Sequence, residues 1–160
     1  PQAIKLDYRV KLTDSPNRIR QTGFSKVSSV PGRDMPEMVV ILQQRKENAD
    51  GSITAKRVGT QIYKFTQSTN GWVEGKAFDI MYGDITKHPG YTKRMDLMRG
   101  DATIYARNSK GENVPVDENG WADASATPTH AIVKFDSSHG GAYIGSIGTT
   151  LWLDNIKWVY

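Results

Sequence analysis

The chain has 160 residues, enough for one domain with its own core, and sets 21 Lys and Arg against 17 Asp and Glu for a net charge of +4. It has no cysteine, which excludes a disulfide scaffold, thiol catalysis and a Cys-ligated zinc site. The basic residues are interleaved with acids and never form a long run, so the concentrated charge of a nucleic-acid binder is missing.

No apolar run approaches the roughly 20 residues of a membrane-spanning helix. The longest strong one, Met38 to Leu42, is strand-sized. The chain starts at Pro1 with neither a methionine nor a signal segment, and it reads as a processed or truncated product. Glycine (15) and proline (7) are spread along it rather than gathered in a linker, a distribution that favours many short elements joined by turns.

From the N-terminus, Ile4, Leu6, Tyr8, Val10 and Leu12 alternate with charged residues, the pattern of a strand with one buried face. Asp14 to Arg33, with Pro16, Gly23, Pro31 and Gly32, reads as an irregular connection. Met38 to Gln44 is a second strand, and Asp50-Gly51 is a hairpin signal that returns Ile53 to Arg57 antiparallel to it. Gly59 to Gln67 is a further strand, and Asn70-Gly71 leads into Trp72 to Met81.

Tyr82 to Met98 is broken by Gly83, Pro89 and Gly90, with two turns of helix expected over Thr92 to Met98. Ala102 to Ala106 and Val114 to Val116 flank a hairpin at Lys110-Gly111, and Asp117 to Thr129 reads as loop. His130 to Phe135 places Ala131, Val133 and Phe135 on one face. Thr149 to Tyr160 carries Leu151, Trp152, Leu153, Ile156, Trp158 and Val159 at odd and even positions. It therefore reads as a sealed central strand, or one that changes face at a bulge near Asp154 and Asn155. Trp152 and Trp158 are expected in the core.

Roughly eight or nine short strands with little helix imply an all-β, antiparallel two-sheet sandwich, with a barrel as the competing layout. The C-terminal SSHGGAYIGSIGTTLWLDNIKWVY, the opening PQAIKLDYRVKL and the middle IMYGDI together resemble the carbohydrate metabolism domain family of Bacteroidetes surface proteins, over essentially the whole chain. The resemblance implies a jelly-roll sandwich like that of carbohydrate-binding modules. It also implies an extracellular, outward-facing outer-membrane location of lipoprotein type and a role in handling glycans. Members carry more jelly-roll sequence ahead of the position of Pro1, so a partner strand, or a bound piece of the chain's own domain, is expected to complete the sheet.

Chemistry is sparse. His88, His130 and His139 lack zinc-ligand spacing, and His139 in its glycine corner is expected to bond backbone. Gly145-Ser146-Ile147-Gly148 lacks the spacing of a nucleophile elbow. Nothing in the spacing of the carboxylates selects a hydrolytic pair, and Glu74 and Asp79 would face opposite sides of one strand.

Sugar recognition by stacking and hydrogen bonds points instead to aromatics near turns. Trp121 and Trp72 follow Asn-Gly pairs, and Tyr82, His88, Tyr91 and Arg94 gather in the irregular segment. Trp121, Tyr91 and Arg94 are the leading candidates, and Asp154 is the candidate ligand of a structural calcium. The expected function is a non-catalytic glycan-binding module, with a glycoside hydrolase and a strand-accepting assembly subunit as alternatives.

Overall fold

Twelve strands and two single turns of 3-10 helix, Lys93–Met95 and Gly100–Ala102, make up all the regular structure of this computed structural model, which covers residues 1–160. The strands are β1 (Ala3–Lys11), β2 (Asn17–Arg20), β3 (Ser28–Pro31), β4 (Glu37–Glu47), β5 (Ile53–Lys64), β6 (Val73–Asp79) and β7 (Met81–Tyr82), then β8 (Ile104–Arg107), β9 (Asn113–Trp121), β10 (His130–Asp136), β11 (Ile144–Gly145) and β12 (Thr150–Val159). The chain is all-β, and its predominantly antiparallel sheets are those of a β-sandwich. By contact density it divides into two compact units, one of Pro1–Val39, Tyr63–Asp79 and Lys134–Tyr160, the other of Val40–Ile62 and Ile80–Val133.

In the first unit a three-stranded sheet runs β12-β1-β6. The alternation in β1 does what it predicts: Ile4, Leu6 and Val10 are buried, with Leu12 just beyond. Tyr8 departs from this set and joins an aromatic cluster with Tyr63, Phe65 and Phe78, at ring separations of 4.9 Å to Phe65 and 6.2 Å to Phe78. Pairing shifts register between Lys5 and Asp7 on the β12 side and between Leu6 and Tyr8 on the β6 side. One carboxylate ties both irregularities, since Asp7 accepts from Asn155 Nδ2 and from the Gly75 backbone N–H, each at 2.5 Å. Asn155 sits at φ 50°, a left-handed position that Asn tolerates, so the bulge expected near Asp154 and Asn155 is present.

The same sheet corrects the reading of the C-terminal segment as a sealed central strand. β12 pairs only with β1 and ends its sheet, leaving Trp152 37% and Ile156 49% exposed and Trp158 half-buried. Arg9 stacks over the Trp152 ring at 5.0 Å. The strand buried from end to end is the first part of β4, where every residue from Glu37 to Gln43 is buried. A continuous apolar run is the mark of a strand covered on both faces, whereas tryptophan content alone is not. The expected irregular connection at Asp14 to Arg33 also contains structure, the antiparallel pair β2 and β3, to which β11 adds.

The second unit holds most of a sheet ordered β10-β4-β5-β9-β8, with β7 also on β5. The Asp50-Gly51 and Lys110-Gly111 turns form as expected, with Gly51 and Gly111 at φ 92° and 82°. The two strands expected at Ile53–Arg57 and Gly59–Gln67 are one strand, β5, because Gly59 is a packing site and not a break. A Cβ there would lie 2.8 Å from Ile80 Cγ2 and 3.2 Å from Leu42 Cδ1. The pairing of β5 with β9 is parallel, and its register slips from Ala55↔Glu118 to Arg57↔Trp121.

Three further expectations are corrected here. Thr92 to Met98 makes one 3-10 turn rather than two turns of helix. Asp117 to Trp121 belongs to β9 and not to a loop, because Gly120 is near-extended. In β10 the residues Ala131 and Val133 are exposed while Ile132 is half-buried.

Candidate functional site

The chemistry of the second unit centres on Glu118, a charged residue on the inward face of β9 that is 1% exposed. Its register partner on β5 is Ala55, whose small side chain leaves room beside the carboxylate. Glu118 Oε1 accepts from Arg57 Nε at 2.7 Å and from Gln43 Nε2 at 2.6 Å. Oε2 accepts from Arg57 Nη2 at 2.5 Å and from the Met98 N–H at 2.7 Å.

Arg57, fully buried, spends its other donors on Thr60 Oγ1 at 3.0 Å and on the Met95 and Asp96 carbonyls at 3.2 Å each. Arg99 Nε reaches the Glu118 carbonyl at 2.7 Å. The pair is therefore saturated, as a buried ion pair must be. Its work is to fasten the Met95–Arg99 segment to β5 and β9.

Beside this strut, the second unit has a groove of about 610 Å3 lined by three cations (Arg45, Lys46, Lys56), three amides (Gln44, Asn48, Asn119), the hydroxyls of Thr54 and Thr129, and Ala55. That volume is within the range of small-molecule and oligomer sites. No carboxylate lines it. Arg45 is half-buried and is held by Gln43 Oε1, which accepts from its Nε at 2.7 Å, while its backbone N–H donates to Thr129 Oγ1 at 2.9 Å. Burial lowers the Arg45 pKa, and the Glu118 charge opposes that shift. His130, 2.8 Å from the Thr129 hydroxyl, is pushed below its usual value first by burial and then by Arg45.

The residues singled out in the sequence are divided between the two units. Trp121, Tyr82, His88, Tyr91 and Arg94 belong to the second unit, whereas Trp72 and Asp154 belong to the first. Trp121 is half-buried, because the register slip at Asn119-Gly120 turns it to the face of Arg57, whose guanidinium lies 5.5 Å from the ring centroid. Tyr82 is half-buried in β7 opposite Gly59. His88 and Tyr91 close a turn, the Tyr91 N–H donating to the His88 carbonyl at 2.9 Å and the Gly90 N–H to His88 Nδ1 at 3.0 Å. Arg94 is exposed on the 3-10 turn, and Trp72 is 47% exposed.

No group of three or more His, Asp or Glu side chains is placed to hold a metal ion, and Asp154 Oδ1 accepts from the Asn155 N–H at 2.7 Å. His139 bonds backbone as expected, its Nδ1 3.3 Å from the Met35 carbonyl and its N–H donating to the same oxygen at 2.9 Å. Ser138 Oγ donates to Asp34 rather than to this histidine, which is not the geometry of a nucleophile and its base.

Sequence reasoning missed the groove and the strut for different reasons. The groove had a signal, in the polar residues Gln44, Lys46, Thr54 and Lys56 alternating on either side of the Asp50-Gly51 turn. The strut had none, because Arg57 and Glu118 are 61 residues apart. Compared with family models, with curated proteins and with solved structures, the chain matches none.

Proposed function

We propose that this chain is a non-catalytic, glycan-associated β-sandwich module of jelly-roll type, displayed at a bacterial cell surface. The observation that carries the reading is the groove beside the Arg57–Glu118 strut, whose lining is almost wholly hydrogen-bonding. Amides and hydroxyls match the paired donor and acceptor character of sugar hydroxyls, and a strut beneath them holds the strands in place without an ordering cost on binding. The lining offers no acid or base for glycoside hydrolysis, so it supports binding over bond cleavage.

Trp121 enters this reading as a support for Arg57 rather than as an open stacking platform, with the half-buried Tyr91 and the exposed Arg94 flanking the pinned segment. A glycan array with the intact protein, with Asn119→Ala and with Trp121→Ala tests it. Binding that Asn119→Ala weakens supports the groove. Binding untouched by Asn119→Ala but lost in Trp121→Ala would return the site to the aromatics, and silence on every polysaccharide would remove the module reading.

A second reading, an assembly subunit that accepts a partner strand, draws on β12. This ten-residue strand ends its sheet with Trp152 and Ile156 exposed, a geometry open to β-augmentation. Concentration-dependent association that Trp152→Lys abolishes would favour it.

A further inference from the structure

We infer that the groove of the second unit takes an anionic saccharide, one bearing sulfate or carboxylate groups, in preference to a neutral one. This rests on the glycan-binding reading and adds the charge class of the ligand. Three cations line the groove with no acid among them. The buried carboxylate of Glu118 is committed to Arg57, at 2.5 Å, and is linked to Arg45 only through the Gln43 amide. Arg45 is thereby left as a positive charge partly withdrawn from water, and a partly buried charge gains from a counter-ion more than an exposed one does.

The position of Arg45 is not left to chance. Glu118 orients the Gln43 amide through Nε2, and that amide in turn holds Arg45 through Oε1. Lys46 and Lys56 are exposed and form no ion pair, so they remain available to an incoming anion.

Asp117, in register opposite Thr54, lies outside the lining and accepts from the Thr103 hydroxyl at 3.2 Å. Glu47 is engaged by the Ser109 backbone and hydroxyl. The amides and hydroxyls between the cations favour a hydroxyl-rich polyanion over a nucleic acid, for which the lining supplies no aromatic ring to stack a base.

Binding of the full chain to dextran sulfate, polygalacturonate, neutral dextran and a single-stranded oligonucleotide tests this, across a salt series. One or both anionic polysaccharides should bind about tenfold or more tighter than dextran, and Lys46→Gln/Lys56→Gln should weaken that binding about tenfold and flatten its salt dependence. Lys11→Gln/Lys26→Gln, an exposed pair in the first unit, should change it by less than about twofold. Sulfate against uronate preference tells the two sources of negative charge apart. Circular dichroism of both double variants checks that they fold.

Equal affinity for charged and neutral chains, or anionic binding indifferent to the Lys46/Lys56 substitutions, overturns the inference while leaving a glycan module standing. Oligonucleotide binding as tight as that of the best polysaccharide overturns the saccharide class. Failure to bind any saccharide on the array removes the glycan reading itself, and this inference with it.

Discussion

Replacing Glu118 by glutamine keeps the shape of the side chain and removes its charge. In the native site the carboxylate accepts four hydrogen bonds, from Gln43 Nε2, Arg57 Nε, Arg57 Nη2 and the Met98 N–H. An amide can serve one pair of these donors through its oxygen, but its NH2 group then points at the other pair, donor against donor. Arg57 stays buried with its charge uncompensated, at 0% side-chain exposure. Breaking a buried pair from one side costs about 3–5 kcal/mol. For a chain of 160 residues that corresponds to a melting temperature lower by roughly 6–20 °C.

Urea denaturation followed by tryptophan fluorescence measures the loss as a shift in midpoint at constant slope. Hydrogen exchange at the Met98 amide should accelerate more than exchange in β1, because the pair fastens that segment. In a cycle with Arg57→Met, the double variant should be more stable than the sum of the singles predicts, by about 1–3 kcal/mol. Glu118→Gln within about 1 kcal/mol of the native protein, or an additive cycle, would refute the account of the pair as the strut of this unit.

Three further outcomes follow from the packing and the titration of particular groups. Gly59→Ala should cost about 1–3 kcal/mol in chemical denaturation, since its Cβ meets Ile80 and Leu42 inside a filled core. Gly140→Ala should destabilise more than Gly141→Ala, although the two share φ values of 105° and 101°, because only the former puts its Cβ 2.4 Å from Arg18 Nη1. Displacing Arg18 breaks its bonds to the His139 and Pro31 carbonyls, so the difference should be about 1–2 kcal/mol by calorimetry.

His139 is held below its ordinary value of 6.5 by burial first and by the Lys64 and Arg18 charges next, so the folded state favours the neutral ring. Its contribution is complete above pH 6.5 and is lost as pH falls from there toward the folded pKa, where the unfolded chain binds more protons. His130 shifts in the same direction, so His139→Gln should be compared in a His130→Gln background. Removal of His139 should flatten the fall in stability below pH 6.5, and an unchanged slope would contradict the assignment.

Local chemistry made much of the fold legible before any coordinates. The alternation in β1 placed Ile4, Leu6 and Val10 inside, and the Asp50-Gly51 and Lys110-Gly111 pairs supplied the left-handed positions that their turns require. The scarcity of helix signals matched the all-β result. The misreading of β12 has a tertiary cause. Whether a strand is central or at an edge depends on its neighbours, and a strand's own residues do not report them. The tryptophans of β12 looked like a core because they are large and apolar, yet their strand has one partner and they stand partly in water.

Trp121 shows the same limit at the site. Its sequence context, after Asn119-Gly120, suggested an exposed ring in a loop, and a register slip between β5 and β9 turned it instead onto Arg57. The sequence by itself determined the all-β class, the buried face of β1 and the hairpin at Asp50-Gly51, because these depend on neighbouring residues along the chain. Only the tertiary structure decided that Glu118 would meet Arg57 and Gln43, and that the lysines of that hairpin would line a groove without acids, because these depend on strands far apart in sequence lying side by side.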